Sequence, residues 1–202
     1  MKRIAIVAVA TLALLILLPD PGGAAQGVLS CRASVVRIEG PVTLEPFVAN
    51  PGYEPCVEDE AGLLSEQVAG VEVDVATART TLIPAQNEGR AEAHVARVFI
   101  DAAGHQIGAR VLYAVASACL TPTGQKHGVR GESGVAEVFI DGQAMPVGNQ
   151  HLDIPLGGAT LHLNHQTRET DPVDRERTLT QRALWLDTPA GDVIVAEAVA
   201  DT

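Results

Sequence analysis

Aromatic side chains are scarce in this chain: one Trp, two Tyr and three Phe amount to 3% of its 202 residues. Basic residues are few as well, 14 Lys and Arg against 25 Asp and Glu, which leaves a formal charge of −11. Nucleic acid and anionic membrane surfaces are thereby excluded as main partners, since both call for a basic footprint that neutralises phosphates and releases counterions. Only three cysteines occur, Cys31, Cys56 and Cys119, and no two are close enough in sequence for the paired spacing of a zinc site. Long apolar runs are missing beyond the first twenty residues, so no second segment could span a bilayer. Nucleotide-binding strings of the G-x-G-x-x-G or P-loop kind are also missing. The nearest approach to a serine-hydrolase elbow, Gly131-Glu132-Ser133-Gly134-Val135, fails at its last position and reads as coincidence.

What is present is enough hydrophobic material, 47% of residues, to build one folded domain. Lys2 and Arg3 precede an apolar run from Ile4 to Leu18, and Pro19, Pro21, Gly22 and Gly23 end it before Ala24 and Ala25. That is the layout of a secretory signal peptide over residues 1–25, with cleavage expected before Gln26. A retained N-terminal anchor is the second reading, and a lipid on Cys31 a distant third. Residues 26–202 then form a single exported domain. In an oxidising compartment the three cysteines allow one bridge and leave one thiol, and the sequence does not choose among the three pairings.

The middle of the chain repeats itself. Setting residues 71–107 above 111–147 without a gap gives 13 identities in 37 positions, among them Val95, Ala96, Val98, Phe99, Ile100 and Asp101 with their counterparts forty residues on. This suggests a duplicated hairpin-like unit. Val71, Val73 and Val75 alternate with Glu72, Asp74 and Ala76, the period-two pattern of a strand with one buried face. The following strand, 91–100, changes phase near Ala96 and Arg97, which suggests a bulge. Asp- and Gly-containing clusters at 101–104, 141–143 and 187–191 read as equivalent turns, making Asp101, Asp141 and Asp187 structural. Loops are expected at 122–128 and 168–177, and a weak helix at 58–68. Extended segments without alternating helices predict an all-β fold: an antiparallel sandwich or related sheet stack built from the repeated unit, with a β-solenoid as the alternative. The many strand alanines suggest closely packed sheet faces.

Several tracts carry a family resemblance. Ala76-Thr77-Ala78-Arg79-Thr80 follows a valine-rich strand, Ala116-Ser117-Ala118-Cys119 ends another, and Val138 to Val147 makes a third. Leu156 to Gln166, Gln181 to Leu186 and Gly191 to Ala198 complete the order. In this order and over nearly the whole chain from Ser30, the sequence resembles the choice-of-anchor P family of actinobacterial surface proteins, although His165 stands where relatives commonly carry Glu. The resemblance implies an exported, cell-surface β-domain and brings no activity with it.

Candidate chemistry is thin. Six histidines, His94, His105, His127, His151, His162 and His165, could in principle meet at a metal. On a regular strand His162 and His165 point to opposite faces, and only a bulge would bring them together. His151 could approach His162 if their segments pair. The acidic stretch 54–66 lacks the loop pattern of a calcium site. Phe99, Phe139 and Trp185 read as core anchors. The expectation is therefore a secreted or cell-surface structural or interaction domain with no catalytic residues, no cofactor and no bound metal, whose partner is a cell-envelope or extracellular component. The membrane enters only through an uncleaved N-terminal segment. The alternative is a small-ligand binder, metal binder or enzyme with a loop-built site drawing on His94, His151, His162 and His165.

Overall fold

The computed structural model describes residues 28–124, 126–170 and 177–202, with the side chains of 126 and 127 excepted. The expected signal peptide and its cleavage site lie outside the described residues, as do the tip of the 168–177 loop and the side chain of His127. Twelve strands account for nearly all of the described chain: β1 Ser30–Glu39, β2 Val48–Ala49, β3 Asp59–Val68, β4 Val71–Ile83, β5 Glu88–Ala102, β6 His105–Leu120, β7 Lys126–Ile140, β8 Gln143–Gly148, β9 Leu152–Pro155, β10 Thr160–Thr170, β11 Arg177–Thr188 and β12 Gly191–Asp201. They form two antiparallel six-stranded sheets, β2-β1-β12-β11-β10-β9 (sheet A) and β3-β4-β5-β6-β7-β8 (sheet B), which pack face to face as a β-sandwich. β12 crosses β5 and β6, β11 crosses β6 and β7, and β1 crosses β4 and β5. The solenoid alternative does not hold, because every strand pair is antiparallel.

Local chemistry sets the hairpins. Ala69-Gly70, Ala103-Gly104 and Asp141-Gly142 are two-residue connections with both φ angles positive, the geometry whose twist matches that of the flanking strands. Asp101 and Asp141 are therefore not equivalent. Asp101 still pairs with Gln106 inside the ladder, while Asp141 is the first residue of its turn. Gly191 is required for space, since a Cβ there would lie 1.9 Å from the Glu39 carbonyl oxygen. The loop expected at 122–128 is shorter, with β7 beginning at Lys126, and β10 and β11 extend into the 168–177 segment.

The stretch 58–68 is strand rather than helix. β3 pairs along its length with β4, placing Ala61 and Leu63 half-buried toward the core. A ten-residue segment with one Gly and mixed polarity takes its conformation from the neighbouring edge it completes, which local propensity does not register.

The core is mostly aliphatic, with Thr80, Ser133 and Gln181 as buried polar exceptions. Val71, Val73, Val95, Ile100, Ile107 and Leu112 of sheet B, with a series of alanines, meet Leu161, Leu163, Leu179, Leu184 and Leu186 of sheet A. Small residues facing leucines let the two layers interdigitate at close spacing. No aromatic residue belongs to the fully buried set, so the reading of Phe99, Phe139 and Trp185 as core anchors is corrected: Phe99 is 40% exposed and all three sit on outer faces. Cys31 and Cys56 form the disulfide, with Cα atoms 4.8 Å apart, and tie β1 to the segment entering β3. Cys31 is therefore unavailable for a lipid thioether, and Cys119 is the free thiol. Asn50 locks the same corner by donating from Nδ2 to the carbonyls of Cys31 (2.8 Å), Pro55 (3.0 Å) and Tyr53 (3.1 Å).

One feature organises both outer faces. Val75 on β4, Val111 on β6, Asn164 on β10 and Ala196 on β12 all have left-handed backbones, with φ between 44° and 55°. The register is the same on either side of each: Asp74 pairs with Arg97 and Ala76 with Val95, without an inserted residue. The phase change expected near Ala96 is present, but it is a crease running across neighbouring strands and not a bulge. At this crease the in-out alternation reverses, so that Val73 and Ala76 both point into the core. Val75 shares its row with Val111 and not with Val115 forty residues on, whereas Ala96 and Ala136 share a row at the repeat offset.

Candidate functional site

Two outer surfaces follow from the crease. On sheet B it turns two adjacent rows outward. One carries Asp74, Arg97, Arg110 and Glu137, and the next carries Leu64, Val75, Ala96, Val111 and Ala136. Leu64 is 81% exposed, Val75 57% and Val111 61%. The result is an aliphatic stripe across five strands, where the period-two reading had placed Val75 in the core with Val71 and Val73. Two shallow concavities lie on this face, the first beside the stripe and the second including it. One of about 460 Å³ is lined by Phe99, Phe139, Arg97 and Arg110. The other, of about 620 Å³, is lined by His94, Tyr113, Val75 and Val111. The charges beside the stripe are largely matched internally: Arg97 bonds Asp74, which also accepts from Ser65 Oγ at 2.8 Å, and Arg110 approaches Glu137 at 3.7 Å while its guanidinium lies 4.8 Å over the Phe139 ring. The Ser65 and Arg97 bonds hold the Asp74 carboxyl below the usual carboxylate range.

On sheet A the left-handed Asn164 carries His162 and His165 to one face, their ring centres 5.8 Å apart. His151, just before β9, brings its ring to 5.6 Å from that of His165. Trp185 is the floor of the group: His162 stacks on it at 4.4 Å, His165 meets it edge-on at 5.0 Å, and Arg182 lies 5.2 Å from its centre. Asp153 Oδ1 is 2.6 Å from His162 Nδ1 and 3.3 Å from His151 Nε2, and the His162 bond is the leading reason the Asp153 carboxyl is held low. Burial first, and the Arg182 charge second, push the His165 imidazole below its ordinary range. His165 Nδ1 and Trp185 Nε1 have no hydrogen-bond partner among the described residues. Beside this cluster Glu197, 2% exposed, accepts from Arg182 Nε (2.7 Å) and Arg37 Nη2 (2.8 Å), with Arg32 3.7 Å away.

The structure thus unites His151, His162 and His165 and separates the others. His94 stacks on Tyr113 on sheet B, and His105 bonds Asp141 at 2.7 Å near a hairpin turn. Asp153 and Arg182 were not singled out from sequence. Asn164 is the one local signal, because Asn tolerates the left-handed region better than most residues. Among the described residues no group of three or more His, Cys, Asp or Glu side chains is placed so that it could hold a metal ion. Ser133 of the elbow-like string lies within the sandwich, 5% exposed, and donates to Gln181 Oε1 at 3.3 Å. Cys119 is partly buried, and burial pushes its thiol up and away from a reactive thiolate. No helix among the described residues is long and apolar enough to cross a membrane.

Fold and surfaces together define an all-β, disulfide-bearing sandwich with a creased apolar outer face. No protein-family model matches the chain, and neither curated proteins nor solved structures show a match.

Proposed function

We propose that this is an exported, non-catalytic interaction domain that docks a protein of the cell envelope against the outer face of sheet B. The observation that carries the reading is the stripe of Leu64, Val75 and Val111, which sets large aliphatic side chains in water beside a row whose Arg97 and Arg110 already have Asp74 and Glu137 as partners. Val75 and Val111 are β-branched residues held in a left-handed backbone, a costly arrangement of the kind that concentrates at functional surfaces. Covering such side chains contributes about 1.5–3 kcal/mol each when burial is complete. A protein surface that buries the stripe and lays aromatic or aliphatic groups into the two concavities would be held without any new ion pair.

Export is supported by the n-region, h-region and small-residue pattern at 1–25 and by the Cys31–Cys56 bridge, which persists in an oxidising compartment. The resemblance to the choice-of-anchor P family supports placement at an actinobacterial surface.

A photo-crosslinking amino acid at Ala96, in the stripe, tests this on intact host cells, with one at Glu169 on β10 as the comparison. A discrete adduct from position 96 that does not form from position 169 is expected. Identical products from both, or none from position 96, would overturn the reading.

A further inference from the structure

We propose that His151, His162 and His165 form a binding site for a first-row transition-metal dication of the imidazole-preferring class, Cu²⁺ above Zn²⁺ and Ni²⁺, on the outer face of sheet A, where Asn164 brings two strand histidines together. This goes beyond the interaction reading and does not depend on it.

Geometry comes first. Two imidazoles bound cis to one metal at the usual distance of about 2 Å have ring centres about 4.5–5 Å apart, from the square-planar angle of copper to the tetrahedral angle of zinc. His165 lies 5.8 Å from His162 and 5.6 Å from His151, so it is the hub of a set within a small side-chain rotation of that separation. As the side chains stand, no three of them could hold a metal ion, so binding requires His151 and His165 to re-orient. His151 is half exposed at the mouth of the group, with Asp153 Oδ1 at 3.3 Å from its Nε2.

The surroundings suit a cation held by neutral nitrogen donors. Asp153 accepts from His162 Nδ1, which fixes that ring with Nε2 carrying the lone pair, the arrangement by which carboxylates orient metal-binding histidines. His165 Nδ1 is shielded from solvent and has no hydrogen-bond partner among the described residues. Arg182, whose charge reaches His165, is bonded to the Glu197 carboxylate, which offsets it in part. Imidazole donors with one carboxylate behind them select copper, zinc and nickel over calcium or magnesium, which need oxygen ligands.

The chain holds a single Trp, and it is the floor of this cluster, so the site carries its own reporter. Cu²⁺ quenches indole fluorescence at short range. The test is a titration of the full chain with CuCl₂ alone, in a Cys119→Ala background that removes the free thiol, reading Trp185 emission. The expected result is a saturable quench at one metal per chain, with apparent affinity at least about tenfold weaker in His165→Gln and in His151→Gln. His94→Gln and His105→Gln should titrate like the parent. His151→Gln keeps the test decisive if His165→Gln perturbs folding, because His151 lies outside the strands. Electron paramagnetic resonance of the one-equivalent sample should show coupling to at least two imidazole nitrogens. A quench that fails to saturate, that survives both substitutions, or that falls equally in the His94 and His105 variants would overturn the proposal and leave only nonspecific surface binding.

Discussion

Val75 and Val111 stand in one cross-strand row of sheet B, two strands apart, both with left-handed backbones (φ 44° and 51°) and both more than half exposed. The strain and the exposure share one origin. Reversing the alternation at this row lets Val73 and Ala76, and likewise Ala109 and Leu112, enter the core on either side. The row itself is turned out to solvent.

Relieving that strain is therefore expected to stabilise the fold. Val111→Asn places a residue that tolerates the left-handed region where a β-branched one is penalised, and should gain about 1 kcal/mol in chemical unfolding. The same change at Val73, which is buried in a regular part of β4, should destabilise by more than that, since it buries an amide without a partner.

Loss of the disulfide gives a second expectation. Cys31 and Cys56 enclose a segment with a sequence separation of 25, and the double substitution Cys31→Ala/Cys56→Ala should lower stability by about 2–4 kcal/mol. Thiol titration of the unfolded parent without reductant should find one reactive group, Cys119.

Glu197 is nearly inaccessible and holds the guanidinium groups of Arg182 and Arg37. Glu197→Ala should cost roughly 2–3 kcal/mol, less than a wholly buried unpaired charge would, because the arginines keep partial access to water. Combining it with Arg182→Ala should cost less than the sum of the two single changes, which a double-mutant cycle measures.

Acid should unfold the protein in part through exposed carboxylates. Asp74, held low by Ser65 and Arg97, and Asp141, held low by the Gln106 amide and His105, have folded pKa values beneath the ordinary 3.8. Each stabilises the fold above that value and loses its contribution as pH falls through the depressed folded value. Stability measured downward from pH 4 should decline less steeply in Asp74→Asn than in the parent.

The sandwich was legible in the sequence because Val71 and Val73 against Glu72 and Asp74 can satisfy only a half-buried strand, and because Asp-Gly and Ala-Gly pairs punctuate the segments. The crease was visible only as a broken phase around Ala96. A change of phase in one strand does not reveal whether the neighbours change with it, so the outward turn of Val75 is not legible, and the sequence joins His162 with His165 only as an alternative that needs an irregular strand. Nothing local marks which face of a strand an aromatic residue occupies, so the outward positions of Phe99, Phe139 and Trp185 are not legible in the sequence. The strand at 58–68 is not legible locally because an edge strand owes its form to the neighbour it pairs with, here β4. Which cysteines join depends on the sheet order, and that order is a property of long-range pairing.

The most direct test of the docking face is retention of purified protein on envelope fractions of its host, comparing the parent with Val75→Glu/Val111→Glu and with a control carrying Glu169→Lys on sheet A. Both substituted valines are already solvent-exposed, so the fold should survive, and circular dichroism checks that it does. Saturable binding by the parent and the control, with at least about a tenfold loss in the double variant, is the expected result. Equal retention of all three proteins would contradict the assignment of sheet B as the docking face.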